Sequence, residues 1–165
     1  DTDEMITVSQ EISVMKAYEN IQRIRYERFY GVSWDIDGDV LDSKIIKFLI
    51  QPIMENSFQH GFPPDSGLAI NVRITALEND ILEIVVSDNG TGIVPEKIKD
   101  LENQMKIGTS IKEHHIGLIN TNRRLCLLYG NEFGLTIKSS VGTGTSVIIR
   151  LPLLYESGDN RGVGQ

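Results

Sequence analysis

The sequence is poor in several things whose absence narrows the reading. Of its 165 residues only one is a cysteine, Cys126, which excludes an internal disulfide and a cysteine-based zinc site and fits a reducing cytoplasm. No apolar run approaches the roughly 20 residues of a membrane span. The longest candidate, Ile45 to Met54, is broken by Lys47, Gln51 and Pro52. No signal-peptide pattern opens the chain, and its start at Asp1, without an initiator Met, leads us to expect a fragment or a processed product. Basic residues are outnumbered 16 to 23 by acidic ones, a net charge of −7. That balance argues against a broad nucleic-acid interface, which needs a basic face. A phosphate site stays compatible with it, provided the site is locally neutral or supplied with a cation. There is no internal repeat.

What is present suits one domain with a core of its own, since 40% of the residues are apolar and the length is ample. Thr7-x-x-Gln10 reads as a capping box for a helix running to about Phe29. Within it Val14, Ala17, Ile21 and Ile24 form an apolar stripe at helical spacing, and the charged far end reads as a solvated face. Val32 to Ile36 alternates like a strand before the turn Asp37-Gly38-Asp39. Lys44 to His60 reads as a helix, with a kink or a fresh start at Pro52 and a stop at Gly61. Two strands, Ala69 to Leu77 and Ile81 to Asp88, precede a glycine loop, and a short helix is expected over Pro95 to Asn103. Gln104 to Ile116 has no clear period and reads as a mobile loop. A helix from Leu118 to Tyr129 follows, then a hairpin of Phe133 to Ser140 and Thr145 to Leu151. Strands in hairpins with helices between them predict an α+β fold, a two-layer sandwich with helices on one face of a mixed, mostly antiparallel sheet. We divide the chain into a linking helix (1–30), a main domain (31–155) and a disordered tail (156–165).

Four short elements carry chemistry. In Glu55-Asn56-Ser57-Phe58-Gln59-His60-Gly61, Asn56 and His60 stand four apart and share a helix face. An asparagine there offers a neutral oxygen for Mg²⁺, although near a helix end it is more often a cap. Asp88 ends an apolar strand and opens Asp88-Asn89-Gly90-Thr91-Gly92. Its carboxylate can accept from an exocyclic amine such as adenine's, and the glycines let a flat ring approach; a tight turn capped by Asp accounts for the same residues. His115-Ile116-Gly117-Leu118 opens a helix whose free N–H groups make an anion site, while a glycine before a helix is also common. Gly142-Thr143-Gly144-Thr145 reads as a hairpin turn needing no function.

In this order the four elements resemble the N box and glycine boxes of the gyrase, chaperone, histidine-kinase and MutL ATPase superfamily. More narrowly, Gln51 to Gly61, Ile116 to Leu125, Tyr129-Gly130 and Gly142 to Thr145 resemble the LytS/YesM-type sensor histidine kinases, over about Thr7 to Pro152. The resemblance implies a Bergerat-type ATP site with Mg²⁺. Asn56 would hold the ion, and Asp88 would bind the adenine amine in a pocket shaped by Gly90 and Gly92. Gly117 and Leu118 would offer N–H groups to the phosphates, Asn122 and Thr145 would lie near the nucleotide, and Gln104 to Ile116 would form a lid. Glu55 would act as a general base, and His60 would belong to the site. The implied reaction is transfer of the ATP γ-phosphate to a histidine outside this chain, in a dimerisation and phosphoacceptor domain that serves a response regulator. The whole protein is expected to be a membrane-anchored bacterial homodimer with this domain in the cytoplasm. The alternatives are a non-catalytic nucleotide-binding module and an ATPase fragment. Against the latter, Pro52 stands where hydrolysing members carry a glutamate. Three departures are noted: Gln59 where a basic residue is common, His115 where glycine is frequent, and Ser57 for a small alanine.

Overall fold

The computed structural model describes residues 5–107 and 115–156. A short strand β1 (Met5–Thr7) runs straight into α1 (Val8–Arg25). Thr7 closes the helix as its sequence predicts: its Oγ1 accepts from Gln10 N at 3.1 Å, and Gln10 Oε1 accepts from Thr7 N at 2.9 Å. The chain continues through β2 (Phe29–Ile36), a single 3₁₀ turn (Gly38–Val40), β3 (Lys44–Ile46) and α2 (Gln51–His60). After β4 (Leu68–Leu77) and β5 (Ile81–Asp88) come α3 (Pro95–Ile107), α4 (Ile116–Tyr129), β6 (Gly134–Ser140) and β7 (Gly144–Pro152).

Five strands make the main sheet in the order β2-β4-β5-β7-β6. Only the β2–β4 pair is parallel. Alternation along the strands gives the sheet one apolar face. Register stacks those residues in rows across it, Ile74–Ile84–Ile149 and Val72–Val86–Val147, all buried. The helices cover this face with Ile53, Met54, Leu118 and Leu125, while Asn71, Arg73 and Arg150 on the opposite face stay exposed. This is the expected α+β sandwich.

Several boundaries differ from the sequence reading, each for a physical reason. Lys44–Ile46 is a strand because it pairs antiparallel with Met5–Thr7, which buries Ile45 and Ile46 without a helix. The helix starts afresh at Gln51, with Pro52 in its first turn, where a missing N–H costs nothing. Helix α1 stops at Arg25, and Phe29 turns inward to meet the Phe58 ring edge-on at 4.8 Å. Helix α3 runs on to Ile107 because Ile98, Leu101 and Met105 keep helical spacing against the core. Of the loop expected from Gln104, residues 108–114 lie outside the described residues, as do residues 157–165 of the expected tail.

Helix α1 is fastened to the body by a face that mixes apolar and acidic side chains. Val8, Ile12 and Met15 are buried together with Glu11 and Glu19. Glu11 accepts the backbone N–H groups of Phe48 (3.0 Å), Leu49 (2.8 Å) and Ile50 (3.1 Å). Ile50, the residue before α2, makes no side-chain cap, so the Glu11 carboxylate does that work from another helix and meets the positive end of α2. Glu19 accepts from Val32 N at 2.9 Å on the outer strand β2 and is paired with Arg23 at 3.1 Å. Tyr26 stacks on Phe58 at 5.2 Å. Burial first, and then the charge of Glu55, push the Tyr18 phenol up to about 12.

Candidate functional site

The site grows out of the apolar face of the sheet. Leu82, Ile84 and Val86 point into the core from alternate positions of β5, and the next position with the same parity is Asp88. Strand β7 repeats the pattern: Leu151, Ile149 and Val147 are buried, and Thr145 follows. Asp88 and Thr145 are cross-strand partners. The buried face of the sheet therefore ends in a carboxylate and a hydroxyl at one rim.

Three donors hold Asp88. Ser57 Oγ donates to Oδ2 at 2.6 Å; Gly90 N and Thr145 N donate to Oδ1 at 2.9 and 3.2 Å. A carboxylate offers about four acceptor positions, so capacity for a further donor remains. Ser57 is the neighbour of Asn56 on α2, and its bond fixes that helix directly against the Asp88 carboxylate. Two further bonds tie the same elements: Thr91 N donates to Gly61 O at 3.2 Å, and Thr91 Oγ1 donates to His60 O at 2.9 Å. Gly90 is required here because a Cβ would collide with the Gly61 backbone. Gly144, at φ 121°, passes so close to the Asp88 carbonyl that no side chain fits. Gly92 adopts a left-handed φ of 75°. The turn is braced by Ser139, whose Oγ donates to Gly144 O at 2.9 Å and accepts from Ile93 N at 2.8 Å.

On α2, Asn56 is nearly buried at 9% exposure. His115 Nδ1 lies 2.6 Å from its Oδ1, and the His115 ring is 4.7 Å from the His60 ring between centroids. Glu55 is exposed and accepts from Gln51 Nε2 at 3.0 Å. Gly117 opens α4 beside Pro52, while the Leu118 N–H donates to His115 O at 3.1 Å and its side chain is buried.

The structure thus brings together Asn56, His60, Asp88, Gly90, Gly92 and Thr145, with Gly117 at the start of α4. It does not bring Asn122 to Asp88. Asn122 Oδ1 accepts from Leu135 N at 2.9 Å and lines a separate groove of about 790 Å³ with Arg123, Cys126 and Phe133. Arg123 faces that groove too. The sequence reading missed Ser57 and Ser139. Ser57 passed as a mild substitution because its partner lies 31 residues away; a hydroxyl beside a site asparagine was the only signal.

Comparison with known proteins agrees with this geometry. Residues 41–155 match the family described as histidine kinase-, DNA gyrase B- and HSP90-like ATPase. The chain belongs to that family. It is 32% identical over 157 residues to the sensor protein LytS of Enterococcus faecalis, covering 94% of this chain and 26% of that protein. It is 30% identical over 154 residues to the sensor histidine kinase YesM of Bacillus subtilis, covering 93% and 25%. The chain thus spans about a quarter of the length of the curated relatives it matches. In fold it is similar to the catalytic domain of the histidine kinase ThkA, with a TM-score of 0.65 at 12% identity over 91% of this chain and 95% of that one. The mycobacterial sensor histidine kinase MprB is similar at a TM-score of 0.59 and 16% identity, over 93% and 99%. The chain has the fold of a histidine-kinase ATP-binding catalytic domain.

Proposed function

We propose that the cleft between α2, the glycine loop and the start of α4 binds magnesium-loaded ATP, and that the domain transfers the γ-phosphate to a histidine outside this chain. The observation that supports this reading best is the Asp88 carboxylate, held by three donors at the polar end of the core face and bonded to the residue beside Asn56. The adenine amine would donate to Asp88. Gly90 and Gly92 let the loop pack directly on the Gly61 and Ser140 backbones, which would shape the edge of the adenine pocket, and Thr145 would close its wall. Gly117 would turn its backbone N–H to the phosphates, and Leu118 would join it by exchanging its bond to His115 O for one to the nucleotide.

The residues fit Mg²⁺ in one specific sense. The Asn56 Oδ1 is a hard neutral donor. That suits an ion carried in on the phosphates. Bound there, Mg²⁺ would neutralise phosphate charge. The chain's own residues would position the nucleotide, which is most of what phosphoryl transfer needs. An acceptor imidazole would attack the γ-phosphorus, the bond to the β–γ bridging oxygen would break, and ADP would leave. Exposed Glu55 would take the proton from the other ring nitrogen. His60 would line the site and not serve as acceptor.

The acceptor would lie in a dimerisation domain of the whole protein, a membrane-anchored homodimer passing phosphate to a response regulator. The test is a mixture of this chain, the separately made acceptor domain and γ-labelled ATP. Acid-labile label is expected on the acceptor and none on this chain, and Glu55→Gln should slow transfer about 100-fold. Label on this chain, or steady hydrolysis without transfer, would contradict the proposal.

A further inference from the structure

The oxygen proposed to meet the cation, Asn56 Oδ1, is engaged by the side chain of His115, the residue that also caps α4. An amide oxygen can only accept, so Nδ1 carries the hydrogen and donates to Asn56 Oδ1 at 2.6 Å. The His115 carbonyl also accepts the N–H groups of Leu118 at 3.1 Å and Ile119 at 3.2 Å at the start of α4. Asn56 is only 9% exposed, and the His60 ring packs near the covering imidazole at 4.7 Å between centroids. Mg²⁺ surrenders its waters reluctantly and needs an open face on the oxygen it joins. The His115 Nδ1 hydrogen already occupies one lone pair of that oxygen, and little of Asn56 is open to solvent beside it.

The backbone of His115 supports the same conclusion. Its φ is 66°, in the left-handed region that a non-glycine residue occupies at a cost. The side-chain bond to Asn56 and the two bonds accepted by the His115 carbonyl help to offset that cost. The purine end of the cleft is independent of it: the donors to Asp88 are Ser57, Gly90 and Thr145.

We infer that His115 is a built-in competitor for Asn56, which must release the carboxamide oxygen before a cation-loaded nucleotide can bind. It lowers affinity for magnesium nucleotide and leaves purine recognition alone. The inference rests on the nucleotide-site reading above and concerns the regulation of that site.

The experiment titrates the wild-type chain, His115→Ala and His115→Gly with adenosine and with a magnesium-loaded, non-hydrolysable ATP analogue. Both variants should bind the magnesium nucleotide roughly three- to tenfold more tightly, the worth of one hydrogen bond, with adenosine affinity unchanged. His115→Ala keeps the left-handed strain and His115→Gly removes it, so a gain in both assigns the effect to the imidazole. In an Asn56→Ala background the gain should vanish. Unchanged or weaker magnesium-nucleotide binding in His115→Ala would overturn the inference, and so would an equal gain for adenosine. A wild-type chain that binds adenosine but behaves identically to its variants defeats this inference alone. A chain that binds neither ligand defeats the nucleotide-site reading and this inference with it.

Discussion

Ser57 shows how much one hydroxyl can decide. It is buried and donates its only hydrogen to Asp88 at 2.6 Å. Without that bond Asp88 keeps only its two backbone donors, both on Oδ1, and Oδ2 is free to rotate or hydrate. We expect Ser57→Ala to weaken adenosine binding about three- to tenfold, since a neutral donor to a carboxylate contributes about 1 kcal/mol or somewhat more. The fold should persist, because alanine fills most of the same space. Calorimetry with adenosine checks the affinity, and thermal unfolding checks the fold. At this scale the placement of residues was legible from local pattern, with Asp88 ending an apolar strand and Asn56 on a helix as the structure has them. The sequence was silent where the role depends on a partner far along the chain, as with Ser57 and Ser139.

Helix α1 is an element whose two faces invert the usual expectation. The stripe Val14, Ala17, Ile21 and Ile24, apolar and helically spaced, faces solvent; Ile24 is 87% exposed. The buried face sets Glu11 and Glu19 among Val8, Ile12 and Met15. Periodicity alone ranks the first face as the core side, because it cannot see that backbone N–H groups of Phe48, Leu49 and Ile50 await a carboxylate. Burying Glu11 is tolerable only because those donors satisfy it, and α2 in turn depends on Glu11 for its cap. We therefore expect Glu11→Ala to destabilise the domain by about 3 kcal/mol, with Glu11→Gln intermediate, because the substitution strands several buried donors at once. Urea unfolding of the three proteins measures it. A change below about 0.5 kcal/mol in Glu11→Ala would show that α1 does not support α2 through this contact. The hairpins β4–β5 and β6–β7 were legible because each closes over a short turn. The parallel β2–β4 pair was not, because it forms only after the chain has passed through β3 and α2.

Across the whole molecule, fold and site are one construction. The rows of Ile and Val that hold the sheet against the helices terminate in Asp88 and Thr145, so the packing that stabilises the domain also fixes its polar rim. A net charge of −7 makes unassisted binding of a triphosphate unfavourable, which is why the account needs a cation and a neutral Asn56 oxygen together. The sandwich and its rim were readable as a whole because four short elements fall in order along the chain. The covering of Asn56 by His115 was not, since it is a matter of side-chain placement between α2 and the start of α4. At this scale the proposed function rests on Asp88 recognising the adenine amine in this cleft. The most direct measurement is calorimetric titration of the chain with magnesium-loaded ATP and GTP, repeated with Asp88→Asn. The account predicts saturable heat with ATP, little with GTP, and a loss of ATP affinity of about tenfold or more in the variant. Equal binding of ATP and GTP, or ATP binding untouched by Asp88→Asn, would contradict it.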